Sequence, residues 1–134
     1  MKPANRVSHE SDHDWEYIPG QESLTSALRW KIFSGGSDSP SDGITFGVFE
    51  VPTGHTLDPH HHKPAEAYYV LEGEGELLMD GQIRNIGQGS VVYIKGDEIH
   101  GIRNNSGSLL KLIWVFPSDS YDEIEYHMDT NVTL

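Results

Sequence analysis

Cysteine is absent from the 134 residues. That removes disulfide crosslinks and thiolate ligands, and with them the Cys-rich kind of structural zinc site. Cations are scarce: nine Lys and Arg stand against 21 Asp and Glu, for a formal net charge of -12 with histidines neutral. Such a surface repels nucleic-acid phosphates and anionic membranes, so neither is an expected partner. No apolar run approaches the roughly 18–20 residues that span a bilayer. The opening MKPANRVSHESDHD is polar and lacks the apolar segment of a secretory signal. A cytoplasmic protein is the resulting expectation. Helical periodicity is also missing before the final segment. What remains is a chain long enough for one domain with a real core.

The chain is a succession of short β-rich runs separated by turn signals. ALRWKIF, residues 27–33, puts Leu28, Trp30 and Ile32 on one face and Arg29 and Lys31 on the other. SGGSDSPSDG, residues 34–43, reads as a loop. ITFGVFEV, residues 44–51, has Ile44, Phe46 and Val48 in phase. EAYYVLE, GELLMD, QIRNI, SVVYI, EIHGIRN and SLLKLIWVFP continue the pattern, and Asp80-Gly81 signals a two-residue hairpin turn. Eight or nine such strands predict an all-β jelly roll or barrel. It would occupy residues 26–134 as a single domain, after a polar N-terminal extension, residues 1–25. The first 14 residues read as mobile. Trp15, Tyr17 and Ile18 then read as a cover for a barrel edge or a partner subunit, or as a loosely held tail. The closing SDSYDEIEYHMDTNVTL predicts one helical turn or an extra strand.

The chemistry concentrates in GHTLDPHHHKPAEAYYVLEG, residues 54–73. His60 and His62 are two apart, which on a strand puts both rings on one face. Glu66 opens the next strand after Pro64, and His100 lies in a later one. Three imidazoles and one carboxylate suit a divalent first-row transition metal. Fe, Mn, Ni, Zn and Co all accept that set, and a four-ligand site leaves room for substrate or water. Histidines crowded into a solvated loop are the competing reading. His55 and His61 fall outside the pattern and are expected at the surface or in support of the ligands. Tyr68 follows Glu66 by two and shares its inward face, where a phenol beside a cation can act as acid or base. A Tyr that only lines the barrel is the alternative. Tyr69 should face the other way and pack. The direction of Tyr93 stays open. Trp30 and Trp114 are expected as interior walls, and Arg103, out of phase with His100, as solvated.

These residues resemble the cupin superfamily. Gly54, His60, His62, Glu66 and Gly73 match its first motif without a gap, and Gly89, His100 and Asn104 match its second. Lys95 and Asp97 depart from it, standing where proline and glycine are usual; Asp tolerates turn geometry, so the turn is expected to survive. The resemblance implies a cupin-type jelly-roll barrel with His60, His62, Glu66 and His100 on the metal. Because cupins often pair through edge strands, it also implies a homodimer.

Within the superfamily, LRWKIF, His62-x-Pro64-Ala65-Glu66-x-Tyr68, GSVVYIKGDEIHGIRNN and WVFPSDSYDEIEY look like the small single-domain cupin lyases acting on dimethylsulfoniopropionate. That resemblance implies a small carboxylate substrate held on the metal. Tyr68 would be the base that removes the neighbouring proton, and Tyr126 would line the pocket as a second active-site tyrosine. Dimethyl sulfide and acrylate would be the products. Two other outcomes fit the same ligand set: an Fe(II)-dependent dioxygenase, and a non-catalytic cupin that binds metal or a small ligand. A sugar-phosphate isomerase is disfavoured, because no inward Arg or Lys is evident for a phosphate.

Overall fold

The alternating runs become eleven strands in a computed structural model that describes residues 6–24, 26–37 and 40–134. They are β1 (Glu16–Tyr17), β2 (Arg29–Ser34), β3 (Thr45–Val51), β4 (Thr56–His61), β5 (Glu66–Glu72) and β6 (Glu74–Met79). β7 (Gln82–Gly87), β8 (Val91–Ile94), β9 (His100–Arg103), β10 (Leu110–Phe116) and β11 (His127–Met128) complete the set. One sheet runs β1-β2-β3-β10-β5-β8 and the other β11-β4-β9-β6-β7. Every pairing is antiparallel. The predicted all-β, cupin-type jelly roll is therefore the observed fold. The closing segment holds both expected features, a 3-10 turn at Tyr121–Glu123 and the short strand β11.

Strand parity decides what reaches the core. Leu28 and Trp30 face inward from the β2 segment, as the sequence predicts, and β10 sends Leu110, Leu112, Trp114 and Phe116 the same way. Ile44, Phe46 and Val48 do share a face, but it is the outer one. The inner positions of β3 belong to Thr45, Gly47, Phe49 and Val51. Gly47 explains the choice: a Cβ there would collide with the Lys31 carbonyl and the Trp114 ring. The bare backbone at Gly47 lets that indole fill the interior. Asp80-Gly81 makes the expected hairpin between β6 and β7, with positive φ at both residues, 57° and 69°.

The described part of the N-terminal extension lies against the barrel. A 3-10 turn at Glu10–Asp12 is closed by a reciprocal cap with His9. The Glu10 carbonyl accepts from Lys31 Nζ at 2.8 Å, and its carboxylate meets Lys111 Nζ at 3.0 Å. Lys31 is therefore buried although it faces outward. Trp15 covers Arg29 and Lys31 in cation–π contact, and β1 extends the sheet beyond β2. Residues 6–14, expected as mobile, thus include a capped turn and the two contacts of Glu10, and Trp15 and Tyr17 lie along the β2 edge of the barrel, one of the two readings the sequence offers. Residues 1–5 lie outside the described residues.

Candidate metal centre and pocket

Four side chains meet where the two sheets face each other. His60 and His100 are cross-strand partners on β4 and β9. His62 follows β4 by one residue, and Glu66 begins β5 in the opposite sheet. The ligand atoms of His60, His62 and His100 all lie within 4.8 Å of one another, and all three residues are buried. Glu66 Oε1 lies 3.1 Å from His62 Nε2 and 3.3 Å from His100 Nε2.

The tautomers follow from the backbone. Nδ1 of His60, His62 and His100 lies 2.7, 2.9 and 2.8 Å from the carbonyl oxygens of Asp58, Pro64 and Glu98. A carbonyl only accepts, so each Nδ1 carries the hydrogen and each Nε2 presents a lone pair. Lone pairs converging beside a carboxylate need a cation between them. His100 Nε2 is correspondingly buried with no hydrogen-bond partner. The donor set fits a divalent transition metal, and the carbonyl-held Nδ1–H groups are the usual outer support of such ligands.

The electrostatics carry the same mark. Burial, followed by the neighbouring His100, pulls the His60 imidazole down to about 4. Burial alone would lower His62 too, but without a metal the charge of Glu66 and the hydrogen bond that a protonated Nε2 donates to it outweigh burial, and the net shift is upward. For Glu66 burial is the largest single influence and raises the carboxyl, yet His100 and His62 together hold it below its usual value. Burial, with Glu66 next, holds the Tyr68 phenol well above its ordinary range.

A cavity of about 610 Å³ opens from this cluster, with His60, Glu66 and Tyr68 in its wall. Trp30, Trp114, Tyr121 and Tyr126 supply aromatic sides, and Asp58 and Asp122 supply carboxylates. Among the described residues, no Lys or Arg lines it. The chain thus folds as two packed sheets enclosing a buried His₃ group beside an aromatic cavity, and the model of the Cupin domain family matches residues 47–116.

This chain belongs to the cupin family.

It is similar to dimethylsulfoniopropionate lyase DddW of Ruegeria pomeroyi, with 34% identity over 129 residues, covering 93% of this chain and 84% of that protein. It is also similar to the uncharacterized protein MJ1618 of Methanocaldococcus jannaschii, at 30% identity over 122 residues, 89% of this chain and 93% of the other. Among solved structures, the polyketide cyclase RemF from Streptomyces resistomycificus superposes with a TM-score of 0.75 at 21% identity, over 92% of this chain and 84% of that one. That last likeness speaks to the fold alone.

The other predicted positions of this cupin fall on both sides of the barrel wall. Tyr68 is inward and 4% exposed, while Tyr69 is outward and 47% exposed. Trp30 and Trp114 are cavity walls. Tyr126 sits over the imidazoles, its ring centroid 5.4 Å from those of both His60 and His62. His61 turns away from its neighbours, stacks on His127 at 5.1 Å and lies 3.5 Å from an Asp97 carboxylate oxygen. His55 hydrogen-bonds Ser26 near the surface. Arg103, expected as solvated, pairs with Glu76 at 3.1 Å. Lys95 and Tyr93 are exposed and outside the cavity. Asp97 adopts φ 61°, the left-handed turn that its substitution for glycine demands, and its N–H donates to the His62 carbonyl at 2.8 Å.

Tyr121 is the residue that reading the sequence missed. Its hydroxyl lies 3.0 Å from that of Tyr126, and its ring packs 5.3 Å from Trp114. Burial pushes its phenol up to about 12. The available signal was Ser120, whose side chain caps the 3-10 turn by accepting from the Asp122 N–H at 3.1 Å. That turn aims Tyr121 inward, whereas strand parity has no meaning for a segment that is not a strand. No helix among the described residues is long and apolar enough to cross a membrane.

Proposed function

We propose that this cupin is a metal-dependent lyase that eliminates dimethyl sulfide from dimethylsulfoniopropionate and leaves acrylate. The observation that carries the reading is the position of Tyr68 in the cavity wall beside Glu66, in a chain 34% identical to DddW over 93% of its length. His60, His62, His100 and Glu66 would hold one divalent ion. When bound, that ion supplies positive charge that engages the substrate carboxylate and acidifies the adjacent C–H.

The remaining steps belong to the chain's own residues. Tyr68, ionised, takes the α-proton onto its phenolate oxygen. The freed pair forms the carbon–carbon double bond, and the carbon–sulfur bond breaks with its electrons on sulfur, so a neutral sulfide departs. With the Glu66 charge engaged in ligation, burial is the main influence still opposing ionisation of Tyr68. The sulfonium end suits walls of Trp30, Trp114 and Tyr126, because aromatic faces attract a desolvated cation. Among the described residues, no Lys or Arg lines the cavity to repel that cation.

The test is release of dimethyl sulfide and acrylate by the protein loaded with each candidate metal, with oxygen excluded. Equal amounts of both products support the lyase. Absence of both with every metal, together with oxygen uptake on a panel of carboxylates when iron is bound, would overturn it in favour of a dioxygenase.

A further inference from the structure

Tyr121 and Tyr126 meet hydroxyl to hydroxyl at 3.0 Å in the cavity wall. The two are held very differently. The Tyr121 N–H donates to the Gly35 carbonyl at 2.7 Å. Ser120 caps its turn, and its ring packs on Trp114 and Phe116 with centroids 5.3 and 6.4 Å away. Tyr126 follows that turn, just before β11, and is 41% exposed, so a ligand in the cavity can reach it. Tyr121 is therefore the fixed member of the pair and Tyr126 the one that is placed.

Hydrogen counting leaves the pair a free donor. Two hydroxyls bring two hydrogens, and the bond between them takes one, whichever oxygen accepts. Neither hydroxyl has a second partner among the described residues. Both enter as O–H rather than phenolate. Burial raises Tyr121 to about 12, and desolvation, followed by Tyr121 and Glu66, raises Tyr126 well above the phenol range.

The rest of the wall says what that hydrogen is for. A carboxylate brings two oxygens with about four acceptor sites, and leaving them unpaired in an aromatic cavity is costly. Among the described residues no Lys or Arg lines the cavity, and the carboxylates of Asp58, Glu66 and Asp122 only accept. Tyr68, ionised as a base, has no hydrogen to give.

We propose that Tyr121 is a positioning and specificity-determining residue: it sets the Tyr126 hydroxyl in the cavity, and the remaining O–H of the pair donates to a carboxylate oxygen of the substrate. This rests on the small carboxylate substrate of the lyase reading and adds the group that tells a carboxylate from its amide. An amide puts an NH₂ where the carboxylate has its second acceptor. One hydroxyl donating to another also strengthens the donor at the end of the chain, so removing Tyr121 is felt in either order of donation.

The test is calorimetric binding of two probes, acrylate and acrylamide, to the metal-loaded protein. Turnover does not enter, and the chain has no cysteine for either probe to alkylate. Tyr121→Phe keeps the ring and removes only the oxygen. It should weaken acrylate about ten-fold, the loss of a hydrogen bond to a charged group, and leave acrylamide unchanged. Tyr126→Phe should weaken acrylate too, and the double variant should lose less than the product of the two single losses, because the phenols act as a unit. Wild-type acrylate affinity in Tyr121→Phe overturns the proposal. So does an equal loss for both probes, which makes Tyr121 merely structural, or a double loss equal to the product, which separates the two phenols. A wild type that binds no acrylate overturns it as well. Dimethyl sulfide release is scored separately: its absence removes the lyase and leaves a selective acrylate loss standing, and its presence does not rescue Tyr121 where acrylate binding is unchanged.

Discussion

Tyr68 and Tyr69 are adjacent, identical in chemistry and opposite in fate. The first is buried in the cavity wall with its phenol pushed far up by burial and Glu66. The second stands half-exposed on the outside of the same strand. β4 repeats the contrast: His60 and the following His62 point into the buried histidine cluster, while His61 between them stacks on His127 at the surface. Alternation by one residue separates side chains that reach the candidate site from those that do not. The lesson is that residue type alone is a poor guide to a site, and residue type with parity is a good one.

The contrast breaks most completely at the metal. His62→Ala or Glu66→Ala removes a donor that the buried cluster cannot replace. Metal retained after gel filtration should fall by more than the roughly 10- to 100-fold that loss of an outer hydrogen bond costs. His61→Ala should keep the wild-type metal content, measured by the same elemental assay. Equal retention in His62→Ala and His61→Ala would erase the distinction.

Turnover comes next. Tyr68→Phe should lower kcat by about 10²- to 10⁴-fold, the span general-base removal typically costs. Tyr69→Phe should stay within about two-fold.

How much of this was legible beforehand follows from the same parity. Period-two reading paired His60 with His62, Tyr68 with Glu66 and Trp30 with Leu28, whereas the motif spacing was needed to bring in Glu66, beyond the Pro64 turn, and His100, on a later strand. The β3 stripe of Ile44, Phe46 and Val48 shows its limit. Alternation says which residues share a face, but not which face is the core when both faces are apolar. Gly47 settles that only once Trp114 is seen above it. Tyr121 was missed for another reason: a 3-10 turn capped by Ser120 positions it, and strand parity says nothing of where such a turn aims its side chains. The grip of Lys31 and Lys111 on Glu10 spans too much sequence for any local signal to announce it.

Stability should divide along the same wall. Leu112 is fully buried on β10, so Leu112→Ala should cost about 2–5 kcal/mol of unfolding free energy. Lys63→Ala, at an exposed position, should stay within about 0.5 kcal/mol in the same denaturant titration.

A further effect is in pH. In the metal-free protein His60 is held neutral, its imidazole lowered from 6.5 to about 4. Between those values the unfolded chain binds the proton and the folded one does not. Stability is therefore complete above pH 6.5 and declines as pH falls toward 4, by at most about 3 kcal/mol. His62, shifted upward, acts in the other window: its share is present below 6.5 and declines as pH rises through its folded value. Metal-free His60→Gln should flatten the acid side of the profile, read by thermal unfolding from pH 7 to 4. An unchanged slope would remove His60 as the cause.

The central claim is that the inward tyrosine beside Glu66 takes a proton from carbon. It is tested most directly by dimethyl sulfide release from substrate deuterated at the α-carbon, measured for metal-loaded wild type and Tyr68→Phe side by side without oxygen. The expected result is a primary isotope effect in wild type and a rate at or below about 1% in the variant. Release by Tyr68→Phe at the wild-type rate would contradict it.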